Sequence, residues 1–538
     1  MSEPNENALN PQPENHYLQP APAAVPKLPP LAADRRDGYF AIFAFVLGYL
    51  FSRWVLGTVQ GWGTAVFTTV YLASVLAYLL VKDVRLPKSS WFWFAVTLLT
   101  GWSFAFWDNT GLMPLRNLFL SCAAVYWVAA ATNVQIGGKT GNLLLLDGIN
   151  SVLLIPFRNF ANQYRALGAL RGKRERDLKK ALPVLLGIIL ALLVLLVVTP
   201  QLLRADSGGF NNLLKDVTGL FKFDTSKVLE FLFYCLLAVP TAAYLFGLVS
   251  GSAARRATDT IKADKTAKAV AALRILAPVT IYTVLGTACA LYVLFIACQV
   301  PYFFSAFSGV RPDGWLSYSD YARQGFFELC RLSAINLAML LAANILSKKP
   351  REESAVLKVF NIALSLITLL LIATAMSKMA LYIGAFGLTI LRILPCVFML
   401  LLAVVCVAVV LLQRMRFSIA RVSLAAGAVL FAALCLVNVD GIIVRYNTER
   451  YLAGTLATYD SAILYRSGPA GVRPALEVYE TTKDAALKNE IESYLVFEKE
   501  KTTAYRGTFR HTVEKERTWE ALQDIKLPHY GEPREAGI

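Results

Sequence analysis

Seven ionisable side chains stand in or beside long apolar blocks: Arg323, Glu328, Arg331, Lys378, Arg392, Asp440 and Arg445. An ionised group inside a membrane-crossing segment is costly and marks a pair, a pathway or a site. Glu328 and Arg331 are three residues apart, so one helix face carries both. On a helix rising about 1.5 Å per residue, Arg331 lies roughly 12 Å from Arg323, and Arg392 roughly 9 Å from Phe386. The expected arrangement is an outer-facing polar cavity. Arg331, Lys378 and Arg392 there outweigh Glu328, with Arg323, Asp440 and Arg445 at the rim. Excess positive charge in a low dielectric suits an anion, a phosphate or carboxylate head group. A structural role competes with this one: Glu328 pairs with one arginine to fix helix packing, while Lys378 and Arg323 reach out to the interface. The run Tyr382–Thr389, broken by Gly384 and Gly387, suits a broken helix at a transport site or a tight turn between antiparallel helices.

The elements that would position these groups are membrane helices. The chain has 538 residues, 56% of them hydrophobic, and a net charge of +16. Its apolar residues come in blocks rather than alternating with polar ones, which excludes a fully soluble protein. Blocks of about twenty residues, enough to cross a bilayer, are Tyr39–Leu56, Trp62–Val81, Trp91–Trp107, Leu115–Ala131, Leu182–Leu202, Val228–Val249, Ile275–Val300, Phe326–Leu346, Val359–Met379, Phe386–Leu412 and Phe417–Val437. The expected fold is therefore an all-α polytopic membrane protein of about eleven spans. Leu143–Ile155 is too short to cross and carries Asp147 and Asn150; it reads as interfacial, followed by a basic surface helix over Arg158–Lys180.

Alternate connecting segments carry 27 and 6 basic residues, the long carboxyl tail left aside. The richer set belongs in the cytoplasm, which puts the amino terminus inside and the carboxyl terminus outside. Three parts follow: a Pro-rich, disordered cytoplasmic tail (1–37), a membrane domain (38–437, with the interfacial and basic segment 143–180) and a helical extracytoplasmic module (438–538). The opening residues do not resemble a cleavable signal peptide, so insertion falls to the first span. The net charge is topological and names no nucleic-acid partner; the bilayer itself, an anionic lipid or solute, and an envelope protein at the carboxyl-terminal module are the expected partners.

No catalytic residue, metal or cofactor is expected. The eight cysteines all lie in apolar blocks and the three histidines in the polar ends. Phosphate-binding, dinucleotide and nucleophile-elbow motifs are absent from the sequence. Gly57-x3-Gly61 and Gly247-x3-Gly251 match the close-packing pattern of membrane helices, a pattern common by chance in such blocks. The pieces YSDYARQGFFELCRLSAIN (318–336), MSKMALYIGAFGLTILRI (376–393) and NVDGIIVRYNTERY (438–451) lie in a stretch from about residue 181 to 451 that resembles an uncharacterised family of bacterial multi-pass membrane proteins, the domain of unknown function DUF4173. That resemblance implies the bacterial cytoplasmic membrane and no assigned activity. The expected function is binding or transport of an anionic solute or lipid head group at the outer leaflet, with a sensor or envelope-assembly scaffold as the alternative.

Overall fold

Asp34 opens the first helix, α1 (Arg35–Trp54), through a capping box: Asp34 accepts from the Asp37 N–H at 2.9 Å and Asp37 from the Asp34 N–H at 3.0 Å. The buried Asp37 also takes the Tyr78 hydroxyl at 2.7 Å and Lys82 Nζ at 2.8 Å, which ties α1 to α2 (Trp62–Val81). The computed structural model describes residues 31–57, 60–170, 225–307, 318–456 and 458–527, with a few isolated positions between 187 and 202.

After α2 come α3 (Lys88–Phe106) and α4 (Met113–Thr132), joined by a 3-10 turn at Thr110–Leu112. A broken segment follows: α5 (Leu144–Ile149), a π-helical turn (Asn150–Leu154) and α6 (Ile155–Arg158), then a 52° bend into α7 (Asn162–Ala169). One face of this segment packs against the bundle, with Asp147, Asn150, Asn159 and Gln163 all buried, while Leu145, Leu153 and Phe157 on it stay exposed. α8 (Thr225–Ala253) runs antiparallel to α1: Tyr49 meets Phe231 at 5.5 Å and Phe40 meets Phe246 at 5.9 Å. Gly247 and Gly251 of α8 admit the broken segment. A Cβ on the first would stand 2.5 Å from the Pro156 carbonyl oxygen, and on the second 2.5 Å from the Asn159 amide. The spacing of these two glycines is thus a real packing contact, whereas Gly61 lies outside any helix.

Beyond the short α9 (Ala263–Ala272), a second bundle is formed by α10 (Pro278–Phe307), α11 (Tyr318–Leu346), α12 (Ala355–Phe386) and α13 (Ile390–Leu412). Between apolar helices, which gain little by hiding from lipid, amides supply specific contacts. Asn336 donates to Thr368 Oγ1 at 3.0 Å, and Asn344 and Asn361 exchange bonds at 3.1 and 3.2 Å. α14 (Ile419–Leu436) bridges the two bundles, packing on both α3 and α13. The chain ends in α15 (Val439–Leu452), α16 (Ala462–Ser467), α17 (Val472–Thr481), α18 (Ala485–Tyr505) and α19 (Val513–Leu522). Their core, including Ile443, Ile491, Leu495 and Leu522, also takes in Leu112 and packs on Leu388, Ile390 and Leu434 from the membrane helices.

Among the described residues, eight helices are long and apolar enough to cross a membrane, or nine if the bent segment counts as one. They fall in eight of the eleven blocks read from the sequence. α1 and α3 reach 20 and 19 residues but fall short in apolarity. The charges Arg35, Arg36, Asp37 and Arg53 dilute the first, and Lys88, Ser89, Ser90, Thr97, Thr100 and Ser103 the second. The block Leu182–Leu202 lies largely outside the described residues, as do the amino-terminal tail and the basic run beyond residue 170. Among the described residues there is no strand, only a bridge between Leu276 and Ser347.

Candidate functional site

The largest set of buried charges lies where the carboxyl-terminal helices meet the ends of α3, α4 and α14. Trp107 and Asn109, just after α3, hold the end of α14: Trp107 Nε1 donates to the Leu436 carbonyl and Asn109 Nδ2 to the Val437 carbonyl, each at 2.8 Å. Asn109 Oδ1 then accepts from the N–H of Val439 at 2.9 Å and of Asp440 at 3.3 Å. Its backbone is left-handed (φ 42°), a conformation asparagine tolerates better than most residues. Arg116, fully buried at the start of α4, donates to the carbonyls of Trp107 (3.2 Å) and Asp108 (2.7 Å) and to Ser103 Oγ (3.1 Å), with its guanidinium 4.0 Å from the Phe104 ring centre.

α19 closes this set from the other side. Thr512 caps α19 and donates to Asp108 Oδ1 at 2.9 Å; Lys515 Nζ, 1% exposed, pairs with Asp108 Oδ2 at 3.1 Å. Glu514 accepts from the Asp108 N–H at 3.0 Å and from Asn438 Nδ2 at 2.6 Å. The buried Glu498 pairs with Lys501 at 3.4 Å. The joint thus holds four carboxyls (Asp108, Asp440, Glu498, Glu514) and three cations (Arg116, Lys501, Lys515). The deficit shows in the acids. Burial, then the Asp108 charge, pushes Glu514 up to about 8. Burial raises Asp440 to about 6 against the N–H groups of Thr110 and Gly111 and the Arg116 charge. Burial also raises Glu498, with Lys501 opposing.

The seven residues singled out in the sequence fall in separate places. Asp440 belongs to this joint. Arg445 is exposed and pairs with Glu449 one turn on, at 2.7 Å. Arg392 caps the end of α12: it donates to the carbonyls of Phe386 (2.8 Å) and Gly387 and lies 4.3 Å from the Tyr382 ring centre. Gly387, at φ +78°, ends that helix, and Asn447 clasps the next residue, accepting from the Leu388 N–H (2.7 Å) and donating to its carbonyl (2.8 Å). The glycine break is thus a tight turn between antiparallel helices. Glu328 and Arg331 are exposed on α11, and Lys378 of α12 lies within reach of the Glu328 charge. Gly325 makes room for Lys378, since a Cβ there would stand 2.6 Å from its Nζ. The side chain of Arg323 lies outside the described residues. Arg116, Asp108, Glu514, Lys515 and Arg450, which donates to the Ile383 carbonyl at 3.4 Å and to that of Gly384, are additions from the structure.

Arg392→Leu would leave the two carbonyls of the α12 cap without their charged donor. A loss of about 1–3 kcal/mol is expected, read as a lower thermal midpoint of the full chain in detergent.

Among the described residues no cluster of three or more His, Cys, Asp or Glu side chains could hold a metal, and all eight cysteines are free thiols. Two apolar cavities, of about 260 and 440 Å³, flank α4 and share Cys122, Val125 and Val152.

An all-helical chain with eight helices fit to cross a membrane has the make-up of a multi-pass membrane protein. The chain belongs to the family described as domain of unknown function (DUF4153), whose model matches residues 94–477. This corrects the resemblance to DUF4173: the shared words lie within the match, but the family is a different one. No curated protein and no solved structure matches the chain.

Proposed function

We propose that this is a protein of the bacterial cytoplasmic membrane that crosses the bilayer eleven times, with its amino terminus in the cytoplasm. It acts as an envelope sensor or assembly scaffold through the helices after Asn438. The observation that carries this reading is the buried joint between Asp108, Arg116, Asp440, Glu514 and Lys515. A loosely tethered tail needs no such joint. Burying charges that packed apolar residues could replace fixes one orientation at a cost in stability. A partner that engages these helices is then felt at the ends of α3, α4 and α14.

The topology draws support from the loops. Those at Gly61–Gly63, Asp108–Gly111 and Gly387–Leu388 all touch the carboxyl-terminal segment, and all belong to the set poor in Lys and Arg. α1 and α3 present exposed apolar side chains suited to lipid, among them Tyr39, Ile42 and Phe43 on one and Trp91 and Leu99 on the other. Antiparallel α1 and α8 put Ala169 and Thr225 at opposite ends. That placement supports reading the block Leu182–Leu202, which lies between them, as a crossing. The anion-binding alternative has less behind it, because Nη1 of Arg392 is bound to two carbonyls and Asp440 belongs to the joint.

A groove of about 400 Å³ on the carboxyl-terminal helices, lined by Ser461, Ala462, Tyr465 and Glu490 among others, is where a partner would be sought. A photo-reactive residue in place of Tyr465, in the full chain and in native membranes, is expected to give a discrete protein adduct that Ala462→Trp reduces several-fold. The same adduct from Leu391, exposed on a membrane helix, or none from Tyr465, would count against the reading.

A further inference from the structure

The broken segment at the other end of the molecule holds a buried negative charge with nothing to balance it. Asp147 is 1% exposed, and its Oδ1 accepts one bond, from the Ile136 N–H at 2.6 Å. Its Oδ2 has no donor, and no ion pair to it exists among the described residues. Gln135, beside Ile136, hydrogen-bonds the Tyr126 hydroxyl, which also feels the Asp147 charge. Asn150 and Ser151 follow Asp147 by three and four residues and so share its helix face. All three are buried, and Gln135 Oε1, Asn150 Oδ1 and Ser151 Oγ lack partners as well. The amide of Asn150 is spent on the Thr258 carbonyl at 3.1 Å, which fixes its oxygen as the free atom.

The orphaned atoms are thus acceptor oxygens, with one hydroxyl among them. A buried donor or carboxylate left this way is costly, and a set of one sign asks for a positive guest. Nearby cations are committed elsewhere: Arg158 to Thr260 Oγ1 (2.7 Å), Arg256 to Asn159 Oδ1 (3.3 Å) and Arg421 to the Thr140 carbonyl (3.0 and 2.8 Å). Tyr126, whose hydroxyl is shared with Thr140 at 2.7 Å, is the titratable neighbour on α4. The π-helical turn at Asn150–Leu154 and the 52° bend are the irregular backbone that membrane proteins keep where it lines a site.

We infer that Asp147, Gln135, Asn150 and Ser151 form a binding site for one monovalent alkali cation. One carboxylate and neutral amide and hydroxyl oxygens match the single charge and the hard-oxygen preference of sodium or potassium. A divalent ion would call for more carboxylates. The cation neutralises Asp147 and competes with a proton for it.

The test is the thermal midpoint of the purified full chain in detergent, in sodium, potassium or choline chloride at equal ionic strength. Sodium or potassium is expected to raise it by a few degrees over choline, and the concentration for half the shift should fall as pH rises from 5 to 8. Asp147→Asn should abolish the difference. If that variant does not fold, Ser151→Ala should raise the half-saturating concentration several-fold. Equal midpoints in all three salts would overturn the site and leave the oxygens to a buried water or a proton. So would a cation shift that survives Asp147→Asn.

Discussion

Replacing Arg116 by methionine is expected to cost the joint about 3–5 kcal/mol, the scale of removing one partner from a buried charged network. The methionine fills much of the space over Phe104, so the loss is electrostatic rather than a cavity. Two carbonyls and Ser103 Oγ lose their donor, and the turn from α3 to α4 loses the group that holds its shape. Three cations against four carboxyls become two, and the Arg116 charge that acts on Asp440 is gone. Because Asp108 and Asn109 carry the contacts to Glu514, Lys515 and Val439, a misplaced turn releases α19 and α15 together. The measurement is the rate at which protease cuts within residues 453–527 of the full chain, alongside the thermal midpoint. Arg445→Met is the control: its side chain is exposed and pairs with Glu449, outside the joint, so it should leave both readouts where they were. A variant Arg116→Met that cuts no faster than Arg445→Met would show that the joint does not hold the carboxyl-terminal helices.

Much of the frame was legible because it rests on short-range rules. Eight of the apolar blocks became helices fit to cross a membrane, and the run from Tyr382 to Thr389 announced a break through its two glycines. What that break does was not legible. Arg392 reads as a charge descending into a span, yet six residues back along the chain stand the carbonyls of a helix end, and a cation finds a partner there. Asp440 reads as a rim charge because it follows the last span; only the long-range contacts place it beneath the 3-10 turn at Thr110–Leu112. Arg116 left a signal that could have been read, an arginine one residue inside the block Leu115–Ala131 with an aspartate eight residues before it. Glu514 and Lys515 left almost none. They are two charges in a tail of sixteen acids and fourteen bases, and their burial depends on Asp108, some four hundred residues earlier, which no periodicity records.

Glu514 gives the joint its pH dependence. Its carboxyl sits at about 8 in the folded protein, against an ordinary value of about 4.3. The folded state therefore holds a proton between these limits that the unfolded chain gives up. Stability contributed at this site is full below about 4.3 and falls as pH rises, by about 1.4 kcal/mol per pH unit, until about 8. The whole effect is on the order of 4–5 kcal/mol. Asp440, at about 6, adds a second loss of the same sign between about 4 and 6, so the steepest fall lies in that lower window. The thermal midpoint of the full chain should accordingly keep dropping between pH 6 and 8 through Glu514. Glu514→Gln should flatten this upper window and roughly halve the fall in the lower one, while Asp440→Asn should roughly halve the lower fall and leave the upper one in place. The glutamine is not free of cost. Both oxygens of Glu514 accept bonds, from the Asp108 N–H and from Asn438 Nδ2, and an amide can return only one acceptor. A loss of about 1–3 kcal/mol at low pH is therefore expected, with the curves of wild type and Glu514→Gln converging or crossing as pH approaches 8. Parallel curves across pH 6–8 would mean that Glu514 carries no proton in the folded joint.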